Sequence, residues 1–325
     1  MYIPETVIEI PHYGELISPT TTTQSAEIID LTTYRLPFFA VDDRNPHEVD
    51  DAIRIDRLKN GGFLVESAIA DGGQLAGNNE LVDEAIRKRH NRYYRNKVTR
   101  AILPNECVDR LQLKNGYNHA TVIRQKFTKT LEQQGDVEIF PANVKVATMD
   151  YKGFGRQCLL EMTKPDHPAP FVDFLEKFRA ERGLKRRAIN PDSSPGNIRR
   201  HSIRMVGTFM VLANMAFAQW ANQNDVPIIY REFPDGKQRN DDEDYIEGNP
   251  IYANYTPDLL PHHGIAGFDS GILYTHVTSP LRRAADLLNH IQLTHALAKK
   301  EVPFNKNSLD EITVHLNDRT RLKTV

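Results

Sequence analysis

Short apolar and alternating runs dominate the first half of the chain, and they predict β-strands. The run "LPFFAVD" (36–42) is almost wholly apolar, as in a buried strand, and ends on Asp42. Apolar and polar residues alternate in "DAIRIDRL" (51–58) and "FLVESAIA" (63–70), and the "KNGG" between them carries an Asn-Gly turn signal, so these two runs are predicted to form a hairpin. Two further alternating runs, 119–127 and 136–149, predict another pair of strands. A helix is predicted over residues 79–95.

In the second half of the chain, apolar residues recur every three or four positions, which is the period of an α-helix. The longest such segment is "IRRHSIRMVGTFMVLANMAFAQWANQN" (198–224), and its broad apolar face predicts a central, largely buried helix. Two shorter helices are predicted over 170–184 and 278–300. We therefore expect an α+β fold, in which a mixed or antiparallel sheet and several helices pack around one central buried helix.

The first 30 residues differ in composition from the rest of the chain. "SPTTTTQS" (18–25) is polar, rich in threonine and without periodicity, so residues 1–30 are predicted to be an N-terminal extension or linker. Residues 31–325 are predicted to form the folded part of the chain, because a chain of 325 residues is long enough for a sizeable core and for one large domain or two ordinary ones.

The composition and the N-terminal sequence indicate the cellular compartment. Hydrophobic residues make up 40% of the chain and charged residues 26%, no apolar run approaches the length of a membrane span, and the N-terminus lacks the pattern of a secretory signal. Two cysteines suit a reducing compartment. We expect a cytoplasmic protein with no membrane partner. The formal net charge of -2 argues against nucleic-acid binding by bulk positive charge, but it leaves room for a local basic channel.

The most unusual segment is "DDRNPHEVDDAI" (42–53), in which five of twelve residues are carboxylates. Two charges about 4 Å apart repel by roughly 4 kcal/mol at an effective dielectric near 20, so converging carboxylates stay ionised only beside a cation. Oxygen ligands favour Mg²⁺, Mn²⁺ or Ca²⁺. An EF-hand loop that began at Asp43 would place Glu48 at the obligatory glycine position, which argues against a site of that kind. The segment predicts a carboxylate site for Mg²⁺; the alternative is a solvated acidic loop.

A second segment, "TSPLRR" (278–283), is predicted to begin a helix, with Thr278 or Ser279 as N-cap and Pro280 in the first turn. Arg282 and Arg283 would then lie in that turn, where the helix dipole disfavours cations. Two arginines at this end indicate that an anion docks there, and a phosphate would meet backbone N–H groups and a guanidinium together. The alternative is that both side chains point into solvent.

Together the segments "IDLTTYRLPFFAVDDRNPHEVDDAI" (29–53) and "YTHVTSPLRRAADLLNH" (274–290) resemble the two signatures of the ribonuclease II/R family, whose catalytic module is the RNB domain. The resemblance extends over roughly residues 28–325. It implies that residues 31–325 form an RNB-type catalytic domain. It also implies a hydrolytic exoribonuclease that degrades single-stranded RNA from 3' to 5' into nucleoside 5'-monophosphates. The enzyme would use Mg²⁺, with Mn²⁺ as a possible substitute.

Site residues follow from the same resemblance. Asp42, Glu48, Asp50 and Asp51 match the family's metal-binding carboxylates, and Asp50 matches the one whose loss stops hydrolysis. Arg282 would neutralise the scissile phosphate in the transition state.

The resemblance also implies three residues that contact the substrate. Ser279 and Arg283 would bind RNA beside Arg282, and Tyr94 falls where the family has a tyrosine that stacks on a base at the 3' end. For Tyr94 an ordinary aromatic late in a helix is the alternative.

The chain also departs from the family pattern. Glu48 replaces an aspartate, Gly207 and Thr208 replace two acidic residues, and Ala284 replaces a tyrosine. No cold-shock or OB-fold domain is recognised, which predicts a short, divergent member. These departures keep a rival open: a catalytically weak or inactive RNB-like RNA-binding or adaptor protein, with a protein partner that supplies further RNA-binding surface. An unrelated Mg²⁺ phosphohydrolase acting on small phosphates is a third class.

Overall fold

The computed structural model describes residues 26–88, 92–94, 97–160, 169–184, 193–235, 253–268 and 270–318. Its strands are β1 (Ile29–Asp30), β2 (Phe38–Asp42), β3 (Asp51–Arg57), β4 (Phe63–Ala70), β5 (Arg92–Tyr94), β6 (Lys97–Arg100), β7 (Gly116–Phe127), β8 (Glu138–Asp150), β9 (Tyr230–Glu232) and β10 (Asn254–Thr256). Its helices are α1 (Asn79–Lys88), α2 (Asn105–Leu111), α3 (Tyr151–Leu160), α4 (Ala169–Glu181), α5 (Pro195–Gln223), α6 (Ala284–Leu297) and α7 (Lys306–Asn317).

The main sheet is mixed and closes on itself. Its strands follow the order β1-β8-β2-β3-β4-β7, and β7 pairs again with β8. Strands β1 and β2 run parallel to β8, whereas the β2–β3, β3–β4, β4–β7 and β7–β8 pairs are antiparallel. The mixed sheet and α+β class are confirmed; the closure into a barrel was not predicted.

The predicted hairpin is β3–β4, and its turn explains the register. Gly61 has a φ of +82°, a conformation open to glycine, and the Asn60 side chain accepts a hydrogen bond from the Gly62 N–H at 3.0 Å. Strand β3 then pairs with β4 residue for residue from Asp51 opposite Ile69 to Arg57 opposite Phe63.

Helix α5 is the central helix that the sequence predicts. The Ser194 side chain caps it by accepting from the Asn197 N–H, and Pro195 occupies the first turn. Sixteen of its 29 residues are buried. Phe209 packs against Phe171 and Phe174 of α4, at ring-centroid distances of 5.4 and 5.5 Å. This aromatic cluster, which Phe39 and Phe63 also join, fixes the helices against the barrel.

Two predicted helix boundaries are wrong. The helix predicted over 79–95 ends at Lys88, because no apolar residue follows Ile86 until Tyr93, and residues 92–94 pair with β6 instead. The helix predicted from 278 begins at Ala284, and Arg283 occupies its N-cap position. Arg282 and Arg283 therefore lie in the turn before the helix. Within the described ranges, no helix is both long and apolar enough to cross a membrane.

Candidate active site

Strand topology brings the acidic segment to one end of the barrel. Strand β2 is antiparallel to β3, so the end of β2 lies beside the start of β3. Strand β2 is parallel to β8, so the two strands end together, and Asp42 is paired with Asp150. A cavity of about 1020 Å³ opens there, and we call it the acidic cavity. It is lined by Asp42, Asp43, Arg44, Asn45, Pro46, His47, Glu48, Asp50, Asp51, Asp150, Tyr151, Lys152, Arg199 and Arg282. The four carboxylates predicted to bind metal and the predicted arginine thus share one cavity.

Asp50 joins the two sequence segments. Its carboxylate, in a residue only 4% exposed, accepts the Leu281 N–H at 3.0 Å and faces the Arg282 Nε at 3.3 Å. Ser279 Oγ accepts from the Arg282 guanidinium at 2.8 Å and so fixes its orientation. The Arg282 side chain remains 42% exposed. The Arg282 guanidinium and the Leu281 N–H, which lie in the segment predicted to attract a phosphate, thus both contact the Asp50 carboxylate.

Asp286 organises the other side of the same turn. Its fully buried carboxylate accepts the Ser279 N–H at 2.8 Å and the Arg283 guanidinium at 2.7 Å. Ser279 is itself buried. Carboxylates thus accept the backbone N–H groups of Ser279 and Leu281, whereas the N–H groups of Arg282 and Arg283 donate to the Ser279 carbonyl, so that a turn precedes the helix. These contacts place Ser279 and Arg283 as residues that shape the turn.

Burial and mutual repulsion raise the pKa values of three aspartates in the acidic cavity. Burial raises the pKa of Asp50 to about 6, against the opposing effects of Arg282 and the Leu281 N–H. Burial, together with the charges of Asp50 and Asp42, raises the pKa of Asp51 to about 7. Burial likewise raises the pKa of Asp42. Arg282 therefore offsets only part of the effect of burial on the pKa values of these three carboxylates.

The carboxylate oxygens of the acidic cavity are suitable ligands for a hard divalent cation. Asp42, Glu48, Asp50 and Asp51 offer only carboxylate oxygens, which Mg²⁺ and Mn²⁺ prefer, and the raised pKa values of the three aspartates show that added positive charge would stabilise their ionised forms. In the part of the chain that the structure describes, however, no three His, Cys, Asp or Glu side chains are gathered into a group that could hold a metal ion.

The two signature segments that form this cavity lie within a match to a known domain. Residues 29–154 and 251–299 match the RNB domain, and these segments cover more than half of the chain. The chain belongs to the RNB-domain family. The resemblance seen in the sequence is confirmed.

Relatives of this RNB domain are distant. An uncharacterized ribonuclease of Synechocystis is 24% identical over 315 residues, which cover 88% of this chain and 46% of the relative. RNase R of Mycoplasma genitalium, solved with ribose-methylated single-stranded RNA, superposes with a TM-score of 0.67 at 20% identity, over 95% of this chain and 58% of that one. Yeast Ssd1, a pseudonuclease, superposes with a TM-score of 0.65 at 14% identity, over 90% and 44%. The structures show a shared fold, and the RNB chain spans about half the length of the curated relatives it matches.

Tyr94 and Gly207 are two further positions that the sequence singled out. Tyr94 ends β5, and its side chain lies outside the described part of the RNB domain. Gly207 lines a second cavity of about 300 Å³, which shares Asp51, Tyr151 and Arg282 with the acidic cavity. No atom beyond its own helix lies within 4 Å of the place a Cβ would take there, so this position is open.

Thr208 and Ala284 face the protein interior. The Thr208 hydroxyl donates to the Arg204 carbonyl at 2.8 Å, and both Thr208 and Ala284 are buried. Of the four substituted positions, Glu48 and Gly207 line the two cavities described here, and Thr208 and Ala284 are not among the residues that line them.

Sequence reasoning missed several residues that line the acidic cavity, among them Asp150, Tyr151 and Arg199. Asp150 ends β8, Tyr151 begins α3, and Arg199 lies near the start of α5. The Arg199 guanidinium lies 5.6 Å from the centre of the Tyr151 ring. Only the position of "DY" at the end of an alternating run could have drawn attention to the first two, because the parallel β2–β8 pairing that places them has no local signal.

The shifted carboxylates predict how the stability of the metal-free RNB domain depends on pH. Asp50 and Asp51 have pKa values of about 6 and 7 in the fold, against about 3.9 in an unfolded chain. The folded state binds more protons than the unfolded state between these values, so the stabilisation is complete below pH 4 and is lost as pH rises to about 7. In EDTA, the melting temperature of Asp51→Asn should exceed that of wild type by a margin that grows from pH 4 to pH 7.5. Parallel pH profiles of the two proteins would contradict the assignment.

Proposed function

We propose that the protein is a Mg²⁺-dependent hydrolytic exoribonuclease that degrades single-stranded RNA from 3' to 5' and releases nucleoside 5'-monophosphates. The observation that carries the proposal is the position of Asp50, buried in a cavity of carboxylates and held by the Leu281 N–H and Arg282 from a segment 231 or 232 residues away. Membership of the RNB-domain family and the likeness to an RNase R solved with single-stranded RNA support it. We place the protein in the cytoplasm.

The four carboxylates and Arg282 each have a part in the proposed reaction. Asp42, Glu48, Asp50 and Asp51 would hold Mg²⁺, or Mn²⁺ in its place, and the bound ion would supply positive charge at the phosphate and lower the pKa of the attacking water. The exposed part of the Arg282 guanidinium faces the cavity, where it can donate to the phosphate as negative charge develops. Ser279 and Asp50 hold that guanidinium in place, so little reorganisation is needed during the reaction.

The test is an assay on single-stranded RNA labelled at its 5' end, with Mg²⁺ or with EDTA. We expect a ladder of 5'-labelled products that shortens with time in Mg²⁺, no ladder in EDTA, and 5'-monophosphates by chromatography. The same RNA labelled at its 3' end should release labelled mononucleotide from the first time point. Internal cleavage products, or shortening in EDTA, would contradict the proposal.

A second candidate function is RNA binding with little or no hydrolysis, either alone or with a protein partner that adds RNA-binding surface. Two observations favour it: the described carboxylates are not gathered into a three-ligand group, and a pseudonuclease shares the fold. Tight binding of the 5'-labelled RNA without a ladder in Mg²⁺ or Mn²⁺ would select this function.

A further inference from the structure

The acidic cavity poses a problem for any RNA that enters it. Its inner wall carries Asp42, Glu48, Asp50 and Asp51, and the phosphates of RNA are negative as well. Arg282 is engaged with Asp50. We propose that Arg44 and Arg199 form a phosphate-binding pair at the mouth of the acidic cavity and grip the RNA backbone by exchanging their carboxylate partners for phosphates. This inference rests on the proposed function, since it takes RNA as the ligand.

Arg44 is placed to meet an entering strand. It lies in the loop after β2, its side chain is 81% exposed, and its Nε donates to Asp150 Oδ2 at 2.9 Å. A neighbouring depression of about 350 Å³ shares Asp42, Asp43, Arg44 and Asp150 with the acidic cavity. Arg44 therefore lines both openings, where a chain that leaves the cavity can pass.

Arg199 approaches the mouth from α5. One terminal nitrogen of its guanidinium donates to both oxygens of Asp43, at 2.7 and 3.0 Å, and both side chains are well exposed. Its guanidinium lies beside the Tyr151 ring, which lines the acidic cavity and the cavity next to it. The two arginines thus come from separate elements and pair with separate carboxylates around one opening.

Exchange of partners is favourable for physical reasons. An exposed ion pair contributes little to stability, because water screens it and two long side chains lose freedom. A guanidinium matches the oxygens of a phosphate in a two-bond arrangement, which gives a stronger contact. Asp43 and Asp150 are not among the four proposed metal ligands, so releasing their arginines leaves that set unchanged.

The test measures the salt dependence of RNA binding by Arg44→Gln, Arg199→Gln and the double variant. The probe is a fluorescent 12-nucleotide oligouridylate, titrated in EDTA between 50 and 300 mM KCl. Each phosphate contact to a single strand contributes about 0.7 to the slope of log Kd against log salt. We expect each single variant to lose about 0.7 and the double variant about 1.4.

The chain offers a matched control in Arg57. It forms a similar exposed ion pair with Asp173, and its guanidinium lies 4.9 Å from the centre of the Phe63 ring, yet it does not line the acidic cavity. Arg57→Gln should leave the slope unchanged. Asp43→Asn should act in the opposite sense to Arg199→Gln and tighten binding, because it removes the carboxylate that competes with phosphate for Arg199. Asp173→Asn should leave binding unchanged.

The outcomes separate this inference from the proposed function. Slopes of both arginine variants equal to that of wild type would overturn the phosphate-binding pair, even if the protein degrades RNA in Mg²⁺. Lowered slopes in a protein that does not degrade RNA would support the pair and reject the exoribonuclease. Failure of the wild-type protein to bind the probe would overturn the pair.

Discussion

Asp50→Asn should lower hydrolysis of single-stranded RNA by about a thousandfold, which corresponds to about 4 kcal/mol in the transition state. The substitution preserves shape, and the asparagine oxygen can still accept the Leu281 N–H. It removes one negative charge from the proposed metal site and the partner of the Arg282 Nε. Single-turnover rates in metal-buffered solution give the size of the effect.

Binding and stability should survive the same change. RNA affinity in EDTA should not fall below that of wild type, because the phosphate contacts proposed for Arg44 and Arg199 do not involve Asp50. The metal-free variant should be no less stable than wild type at pH 7.5, since burial already raises the pKa of Asp50 to about 6 and disfavours its ionised form. Asp173→Asn serves as the matched control, because it removes a carboxylate from the Arg57–Asp173 ion pair, which does not line the acidic cavity. Hydrolysis by Asp50→Asn within tenfold of wild type would exclude Asp50 from the chemistry.

Arg282→Lys should lower kcat on the order of a hundredfold although it keeps the positive charge. A lysine has no planar fork, so it cannot contact Asp50 and Ser279 together while it also faces a phosphate. Removing one preorganised donor to a transition-state oxyanion costs about 10²–10³ in rate. Because the lost interaction belongs to the transition state, KM should change little.

Two comparisons make the role of Arg282 specific. Ser279→Ala removes only the hydroxyl that orients the guanidinium, so its fall in kcat should be smaller than that of Arg282→Lys. Arg57→Lys, outside the cavity, should be neutral. An Arg282→Lys variant with full kcat would show that charge alone suffices and that the observed fork geometry is not used.

Local patterns predicted the parts of this fold better than their assembly. Alternation and the Asn60-Gly61 turn predicted the β3–β4 hairpin, and the apolar face of α5 predicted its burial. Closure of the barrel was not predicted because it depends on β8 pairing along its length with β1, β2 and β7, and pairings of distant segments leave no period in the sequence.

The same distinction holds for the site. Crowded carboxylates at the end of a predicted strand indicated the acidic cavity, and two arginines beside a proline indicated an anion. The late start of α6 was not predictable, since Asp286 and Asp50 satisfy the turn before it through contacts that only the fold creates. Asp150, Tyr151 and Arg199 escaped notice because their place depends on a parallel strand register and on the docking of α5.

The bond between Asp50 and Leu281 has a consequence for the order of events during synthesis. A ribosome that has released the chain only through α5 has produced every carboxylate of the acidic cavity but neither of the two donors to Asp50. Until residues 279–286 emerge and dock, Asp50 lacks both of the donors that hold it in the folded protein. The acidic segment therefore leaves the ribosome well before the turn that completes the site, and the site is assembled only after more than two hundred further residues have been added.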